Sequence, residues 1–240
     1  MRIFLAGAAG VIGRRLTRML VDDGHHVTGT TRSQDRAEAM ALTGAVPCLV
    51  DVYDADKLRE AVVAAQPDVV IHQLTDLPQQ PDSAALVLAF EKNARLRMEG
   101  TANLVAAAQA AGARRVVAQS VAFLYAPGQR PAIEETPFDT TVHGPAEMTL
   151  QGILELERLV TQTPDIEGVV LRYGRIYGPG AWVAGPTAKG FVHADAAAQA
   201  ARLAATRGRP GIYNIADDDG EVSIGKARRE FGFDPSFRLS

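Results

Sequence analysis

The sequence predicts an α/β fold, in which helices cover both faces of a doubly wound parallel sheet. Short apolar runs, beginning with "RIFLAG", alternate along the chain with longer stretches of helical periodicity. The short runs are continuously apolar, which is typical of strands that are covered on both faces. Because a helical stretch follows each run, right-handed crossovers would align the strands in parallel.

Composition and charge indicate an ordinary globular chain of one domain. The 240 residues carry a formal net charge of -3, and 47% are hydrophobic and 22% charged. This charge gives no reason to expect a nucleic-acid partner, and no apolar run is long enough to span a membrane. The N-terminus runs directly into the first strand, so we expect no signal peptide. Cys48 is the only cysteine, so no intrachain disulfide can form, which fits a cytoplasmic location. We interpret Cys48 as a buried core residue.

The first half of the chain divides into four strands and three helices. "RIFLAG" leads into a helix that Gly24 ends, and its apolar residues recur at helical spacing. "HVTGTT" and "VPCLV" predict strands two and three, and Ser33 is a candidate N-cap for the helix between them. Asp54 caps the third helix, Pro67 terminates it, and "DVVIHQ" predicts strand four.

The second half continues the same alternation. A long helix is predicted from about Ser83 to Ala111, followed by strand five, "RRVVAQS". "MTLQGILELERLVTQT" predicts a helix, "GVVLRYG" strand six, "DAAAQAARLAATRG" another helix, and "GIYNIA" the last strand. Glycine- and proline-rich loops at 125–131 and 178–190 follow the carboxyl ends of strands, where such sheets bind ligands.

Three glycines at the first strand-to-helix junction predict a site for a dinucleotide. Gly7 permits a tight turn, Gly10 lets a pyrophosphate approach the backbone, and Gly13 lets the helix pack closely on the strand. The N–H groups at the start of the helix would then face the phosphates. The alternative is a glycine-rich turn that binds nothing. The backbone contacts predicted beside the glycines are those of Ala9, Val11 and Ile12.

The end of strand two favours NADP over NAD. An acidic residue there would bind the ribose 2′-hydroxyl of NAD, but the sequence reads "TGTTRS". Arg32 and Arg36 can pair with a 2′-phosphate, and Thr31 or Ser33 can hydrogen-bond to it. A solvated arginine on the first turn of a helix is the alternative interpretation, and NAD is the alternative cofactor.

Further cofactor contacts are expected where the other strands end. Asp51 and Val52 follow strand three, where an adenine would lie, although helix capping is an equal alternative for Asp51. The remaining predicted cofactor contacts lie at the ends of strands four, five and six: Leu74, Thr75, Ser120 and Tyr173.

The motifs together resemble the extended short-chain dehydrogenase/reductases, also called the NAD-dependent epimerase/dehydratase family. The matching stretches run in family order over nearly the whole chain: "GAAGVIGRRL", "DVVIHQL", "EGTANLVAAAQAAGARRVVAQS", "LRYGRIYGPG", "FVHADAAAQAA", "GIYNIADD" and "KARREFGFDP". The resemblance implies a Rossmann-type domain over residues 1–240, with pieces of an abbreviated substrate lobe at about 174–192 and 216–240.

The same resemblance exposes a departure in the catalytic residues. The family uses an asparagine, a serine or threonine, and a Tyr-x-x-x-Lys pair, whose tyrosine is the general acid/base. Ser120 matches the serine, but Thr149 and Ile153 stand at the tyrosine and lysine positions, and Arg97 at the asparagine. A shift of the alignment by two residues gives Glu147 and Gln151, which is no better. Tyr53 and Lys57 form a Tyr-x-x-x-Lys on the adenine side, which we interpret as coincidence.

Other polar residues near the carboxyl edge are candidates for proton transfer. Tyr125, Tyr177 and His193 join Ser120 as predicted catalytic residues, although each has a structural alternative. For His193 that alternative is a hydrogen bond at the start of the helix at Asp195. Gln73 and Asp76 are expected to converge on the same edge, His72 is interpreted as a satisfied core histidine, and His143 has no partner in the sequence. No metal-ligand spacing is present.

Three functions follow from these residues. The first is an NADP-dependent oxidoreductase with an atypical site and a small carbonyl or alcohol substrate. The second is a non-catalytic NADP-binding sensor, which the missing tyrosine and lysine would permit. The third is an NAD-dependent epimerase or dehydratase, against which the abbreviated lobe argues. The resemblance also implies a homodimer through two long helices, Ser83–Ala111 and Met148–Thr163.

Overall fold

The structure is a computed structural model that describes residues 1–78 and 83–239, with side chains throughout except at 83–85. Its nine strands are β1 (Arg2–Ala6), β2 (His26–Thr31), β3 (Val46–Leu49), β4 (Val69–His72), β5 (Arg115–Val121), β6 (Glu167–Tyr173), β7 (Arg175–Tyr177), β8 (Phe191–His193) and β9 (Gly211–Ile215). Seven of them form one sheet in the order β3-β2-β1-β4-β5-β6-β9. Every neighbouring pair is parallel, which confirms the predicted doubly wound sheet.

Helices cover both faces of this sheet. They are α1 (Val11–Asp22), α2 (Gln34–Ala41), α3 (Ala55–Ala65), α4 (Ser83–Arg95), α5 (Thr101–Ala110), α6 (Pro145–Gln162), α7 (Ala194–Ala204) and α8 (Gly225–Phe231). One hydrophobic core lies between the sheet and α1, α7 and α8, and a second lies under α3 and α5. Helix α6 contributes side chains to both cores.

The predicted long helix is interrupted in its middle. After α4 ends at Arg95, a π-helical turn spans Leu96–Gly100 before α5 begins. A Cβ at Gly100 would lie 3.0 Å from the Leu96 side chain and 3.2 Å from Val52, so the turn brings the backbone close to the end of β3. Periodicity over the whole segment does not reveal one extra residue in a single turn.

Two further expectations need correction. The helix predicted from Met148 begins at Pro145. Proline suits the first position of a helix, because its φ is already helical and the N–H that it lacks would have no intrahelical acceptor there. Cys48 lies on the edge strand β3 and is half-buried, so its interpretation as a buried core residue was wrong. Burial raises the pKa of its thiol.

Helix α7 is rich in alanine, which makes up seven of its eleven residues. Seven of its alanines have no exposed surface, namely Ala194, Ala196, Ala197, Ala198, Ala200, Ala201 and Ala204. The small side chains of α7 let its axis approach α1 and the sheet closely. The short parallel strands β7 and β8 precede this helix and pair with each other outside the main sheet.

The chain beyond β9 folds back against the sheet. Phe231 of α8 packs its ring 4.2 Å from that of Tyr213 on β9, and the Tyr213 hydroxyl donates a hydrogen bond to Glu230 at 2.6 Å.

Among the described residues, no helix is both long enough and apolar enough to cross a membrane.

Candidate functional site

A cleft opens at the carboxyl ends of β1, β2, β3 and β4. Ten of the residues predicted to bind a cofactor line it: Gly7, Ala9, Gly10, Thr31, Arg32, Arg36, Asp51, Val52, Leu74 and Thr75. The predicted residues Val11, Ile12, Gly13, Ser33, Ser120 and Tyr173 do not line this cleft. Its wall also contains residues that were not predicted as cofactor contacts, including Tyr53, Gln73, Asp76 and Leu96.

The glycine loop has the geometry that its spacing predicts. Gly7 has a φ of +88°, and a Cβ there would lie 2.6 Å from the carbonyl oxygen of Gln73. A Cβ on Gly13 would overlap the carbonyl oxygen of Gly7, so helix α1 could not begin where it does. The hydroxyl of Thr30 on β2 fixes the loop by accepting a hydrogen bond from the Gly7 N–H at 3.1 Å.

The start of α1 offers backbone donors to an anion. Gly10 precedes the helix with an extended backbone, and no side chain caps it within the described chain. The first N–H groups of a helix lack intrahelical partners and carry the positive end of its dipole. A Cβ at Gly10 would meet only the Gly7 carbonyl oxygen, at 3.4 Å, so the outer face of Gly10 is open.

A glutamine beneath the loop has an unused acceptor. Gln73 is 5% exposed, and its Nε2 donates to the Tyr173 hydroxyl at 3.3 Å. Within the described part of the chain, its Oε1 is the one buried side-chain polar atom without a hydrogen-bond partner. Leaving such an atom unpaired is unfavourable, and a ligand hydroxyl or amide would satisfy it. The glycine cradle, the free helix donors and this acceptor therefore fit a dinucleotide.

The end of β2 carries cations and hydroxyls rather than an acid. Ser33 caps α2 by accepting a hydrogen bond from the Arg36 N–H at 3.5 Å, which confirms its predicted N-cap role. Thr31 accepts from the Ser33 N–H at 3.2 Å. The Arg32 side chain is 62% exposed and lies 3.8 Å from the Asp76 carboxylate, an ion pair that is weak because water surrounds it.

Tyr53 bounds the cleft just after β3. Asp51 accepts a hydrogen bond from the Tyr53 N–H at 3.0 Å, whereas Asp54 caps α3 by accepting from the Lys57 N–H at 3.2 Å. The capping alternative for Asp51 was therefore wrong. The Arg95 guanidinium lies 4.2 Å from the centre of the Tyr53 ring. Lys57 pairs with Asp54 at 2.9 Å; the interpretation of this Tyr-x-x-x-Lys as a coincidence on the adenine side stays a prediction.

Helix α6 contains neither tyrosine nor lysine. The Thr149 hydroxyl donates to the carbonyl oxygen of Pro145 at 2.9 Å, and Ile153 is fully buried in the core. Neither side chain could exchange a proton with a substrate. The assignment of the family's tyrosine and lysine positions to these two residues stays a prediction.

Ser120 and Tyr125 are brought together by a buried arginine. The Ser120 hydroxyl donates to Glu157 at 2.7 Å, and Arg172 donates to both oxygens of that carboxylate at 2.8 and 2.6 Å. Arg172 also donates to the Tyr125 hydroxyl at 2.8 Å, which in turn donates to Asn214 at 2.7 Å. Both predicted catalytic residues are thus engaged inside the protein, and burial raises the pKa of Tyr125.

Tyr177 and His193 form a second pair, apart from the first. Their ring centres lie 5.1 Å apart, and the Tyr177 hydroxyl accepts a hydrogen bond from Arg238 at 3.0 Å. The Nδ1 atom of His193 accepts from the Asp195 N–H at 3.2 Å, which confirms the structural alternative of a cap on α7. Burial lowers the pKa of His193, so the ring is neutral at neutral pH. Their predicted catalytic role is not tested by these contacts.

Two other histidines have defined places. His72 is a satisfied core histidine, as interpreted: its Nδ1 accepts from the Leu74 N–H at 3.2 Å and its Nε2 lies 3.1 Å from the Thr101 hydroxyl. Burial, with the nearby charge of Arg97, lowers the pKa of His72 to about 4. His143 is exposed. No three side chains of the described residues are grouped to hold a metal ion.

Known proteins share both this sequence and this architecture. Residues 3–233 match the family described as the NAD dependent epimerase/dehydratase family. A 3-diazoavenalumate denitrifying reductase from a Streptomyces species is 40% identical over 91% of this chain and 77% of its own length.

Two solved structures resemble the fold over its full length. The UDP-glucose 4-epimerase of Thermotoga maritima, solved with UDP-glucose, superposes with a TM-score of 0.79 at 16% identity, over 99% of this chain and 94% of that one. That of Thermus thermophilus, in complex with NAD, gives 0.78 at 20% identity over 100% and 95%. At such identities these two likenesses establish the fold alone. With the family match and the reductase of similar sequence, the chain belongs to the NAD-dependent epimerase/dehydratase family.

Proposed function

We propose that this protein binds NADPH, with NADH as the alternative, and reduces a small electrophilic substrate. The observation that carries the proposal is the cleft between the glycine loop and the two arginines, Arg32 and Arg36. A reduced nicotinamide would supply a hydride when it is bound. The residues of this chain would hold the cofactor, orient the substrate and exclude water.

The preference for NADPH rests on the groups at the end of β2. Arg32 and Arg36 offer planar guanidinium donors, which bind phosphates in two-point contacts. The contact between Arg32 and Asp76, at 3.8 Å and largely exposed, is weak enough for a 2′-phosphate to replace it. No acidic side chain stands in the stretch "TGTTRS", where NAD would need one.

The substrate class is suggested by what α6 lacks. Reduction of a carbonyl leaves an oxyanion that a general acid must protonate, and α6 provides no tyrosine or lysine for this step. Transfer of a hydride to the carbon of an arenediazonium group would form a C–H bond while the C–N bond breaks and N₂ leaves with its electron pair, so no alkoxide forms at that carbon. The relative named 3-diazoavenalumate denitrifying reductase supports an acceptor of this kind over the carbonyl or alcohol expected from the sequence.

A nucleotide titration tests the cofactor. We expect NADPH to bind at least about tenfold more tightly than NADH, and Arg32→Ala to remove that difference. Arg158→Ala is the matched control, because Arg158 is an exposed arginine on α6 that pairs with Glu155. Equal affinity for both nucleotides in the wild-type protein would contradict the NADPH preference. If neither NADPH nor NADH binds, the proposed function is rejected.

A turnover assay tests the reaction. NADPH oxidation is followed with 3-diazo-4-hydroxybenzoate and with a panel of aldehydes and ketones, and products are identified by chromatography. We expect the diazo compound to yield 4-hydroxybenzoate and the carbonyl compounds to react slowly. If a carbonyl compound is reduced faster than the diazo compound, the proposed substrate class is contradicted, but the proposal of a reductase stands.

The second candidate is a sensor that binds NADPH without turnover. It is favoured by one observation, the engagement of Ser120 and Tyr125 in buried hydrogen bonds. Binding of NADPH without oxidation in the presence of any tested substrate is the result expected of a sensor. Multiple turnovers with either substrate class would exclude it.

A further inference from the structure

Arg97 is placed beside the site by close packing between two helices. It lies in the π-helical turn Leu96–Gly100, next to Leu96 on the wall of the cleft. Gly152 of α6 allows the approach, since a Cβ there would lie 3.4 Å from the Arg97 Cβ and 3.0 Å from the Ala94 backbone. The arginine therefore stands between the end of β4 and the helix that carries Thr149 and Ile153.

The charge of Arg97 is not neutralised by the described residues. The buried arginines Arg115 and Arg172 each pair with a glutamate, at 2.9 and 2.6 Å. Arg97 is half-buried, yet it forms no hydrogen bond or ion pair within the described chain, and desolvation is the cause that lowers its pKa to about 10. It remains protonated at neutral pH. A desolvated cation without a partner is unfavourable. A bound anion would supply the partner and remove this penalty.

The pKa of a nearby histidine indicates which part of the sheet the charge of Arg97 acts on. The positive charge of Arg97 contributes to the lowered pKa of His72, the last residue of β4. The guanidinium thus acts on the carboxyl edge of the sheet, where ligands bind. The groups suited to the cofactor phosphates lie elsewhere, at the glycine loop after β1 and at Arg32 and Arg36 after β2. The adjacent residue Leu96 is apolar and buried.

We propose that Arg97 binds a carboxylate group of the substrate, whose apolar body lies against Leu96 and α6; this assignment rests on the proposed reductase function. A guanidinium presents parallel N–H donors that match a carboxylate in two-point geometry. The substrate class is then a small, largely apolar carboxylic acid. The carboxylate orients the substrate and is not itself changed in the reaction.

The first test uses the wild-type protein and two pairs of probes. Binding of benzoate is compared with benzamide, and cinnamate with cinnamamide, by calorimetry with and without NADP⁺. The members of each pair have the same shape and differ in charge. We expect each acid to bind at least about tenfold more tightly than its amide. Equal binding of acid and amide in both pairs would overturn the proposal.

The second test uses Arg97→Met, Arg97→Lys and the control Arg158→Met. We expect Arg97→Met to lose the preference for the acids, and Arg97→Lys to keep part of it, because an ammonium retains the charge but not the two-point geometry. Without ligand, Arg97→Met should melt at least about 2 °C higher than wild type, since an unpaired desolvated charge is removed. A preference for the acids that persists in Arg97→Met would overturn the assignment.

The two proposals fail in different ways. If NADPH does not bind but the acids still bind through Arg97, the reductase proposal fails and the carboxylate site stands. If NADPH binds and is turned over while acid and amide bind alike, the reductase stands and the role of Arg97 is rejected.

Discussion

The carboxylate of Glu157 accepts a hydrogen bond from the Ser120 hydroxyl at 2.7 Å while it holds the guanidinium of Arg172. Both ionic side chains are 7% exposed, so neither can exchange its partner for water. Glu157 and Ser120 belong to α6 and β5, and Arg172 belongs to β6. A single carboxylate therefore ties a helix to two adjacent strands at the edge where the site lies.

Removing this carboxylate should destabilise the protein strongly. Glu157→Gln leaves Arg172 buried without a counter-charge, and we expect a loss of about 3–5 kcal/mol in the free energy of unfolding. Urea denaturation measures it. The control is Glu155→Gln, two residues away on the same helix, whose exposed pair with Arg158 is worth at most about 1 kcal/mol. Equal losses in the two variants would contradict this account of the network.

The predicted catalytic residues can be tested by separating stability from turnover. If Ser120 or Tyr177 acts on the substrate, Ser120→Ala or Tyr177→Phe should lower kcat at least about tenfold while the Kd for NADPH is unchanged. If the contacts to Glu157 and Arg238 are their whole role, kcat stays constant and only the melting temperature falls.

The glycine loop provides a matched pair of variants. Gly10→Ala places a Cβ at ordinary contact distance, 3.4 Å from the Gly7 oxygen, so the fold should survive with a loss below about 1 kcal/mol. Its methyl group would obstruct a pyrophosphate, and we expect NADPH affinity to fall at least about tenfold.

Gly13→Ala should act on the fold instead. Its Cβ would overlap the Gly7 carbonyl oxygen, so α1 must shift, and overpacking of this kind destabilises by about 1–3 kcal/mol. Thermal unfolding and NADPH titration of both variants distinguish the two roles. A Gly13→Ala protein that melts at the wild-type temperature would show that the loop relaxes freely.

Acid should destabilise the fold through His72. Burial depresses its pKa to about 4, below the value of about 6.5 in the unfolded chain. Between these values the unfolded state binds more protons than the folded state, so stability falls as the pH is lowered from about 6.5 to about 4, by about 3 kcal/mol in total. The His72→Gln variant should show a shallower dependence in urea denaturation between about pH 7.5 and pH 4.5. Parallel curves for the two proteins would contradict the buried neutral ring.

The parts of the site that depend on residues close together in the sequence could be predicted from it. The glycine spacing, the caps at Ser33 and Asp54, and the arginines after β2 are local patterns, and each lies where it was predicted. The cap by His193 was likewise visible as an alternative, because it acts across two residues.

The rest depends on contacts between distant residues. Ser120 and Glu157 are 37 positions apart, and nothing in either local pattern indicates that they meet. Tyr53 was set aside because its spacing to Lys57 resembled a misplaced motif, whereas its ring lines the cleft and lies under Arg95. The π-helical turn escaped notice because the periodicity of the whole segment does not reveal one extra residue in a single turn.

The alanine-rich helix α7 bears on how variation in this protein would be interpreted. Because its seven fully buried alanines leave no space for larger side chains, nearly every enlargement there would be rejected by selection for folding alone. A mutational scan would mark the helix as intolerant, although none of its residues lines the cleft at the carboxyl ends of β1, β2, β3 and β4. Intolerance in this segment would report steric exclusion, whereas intolerance at an exposed position such as Arg32 would report ligand recognition.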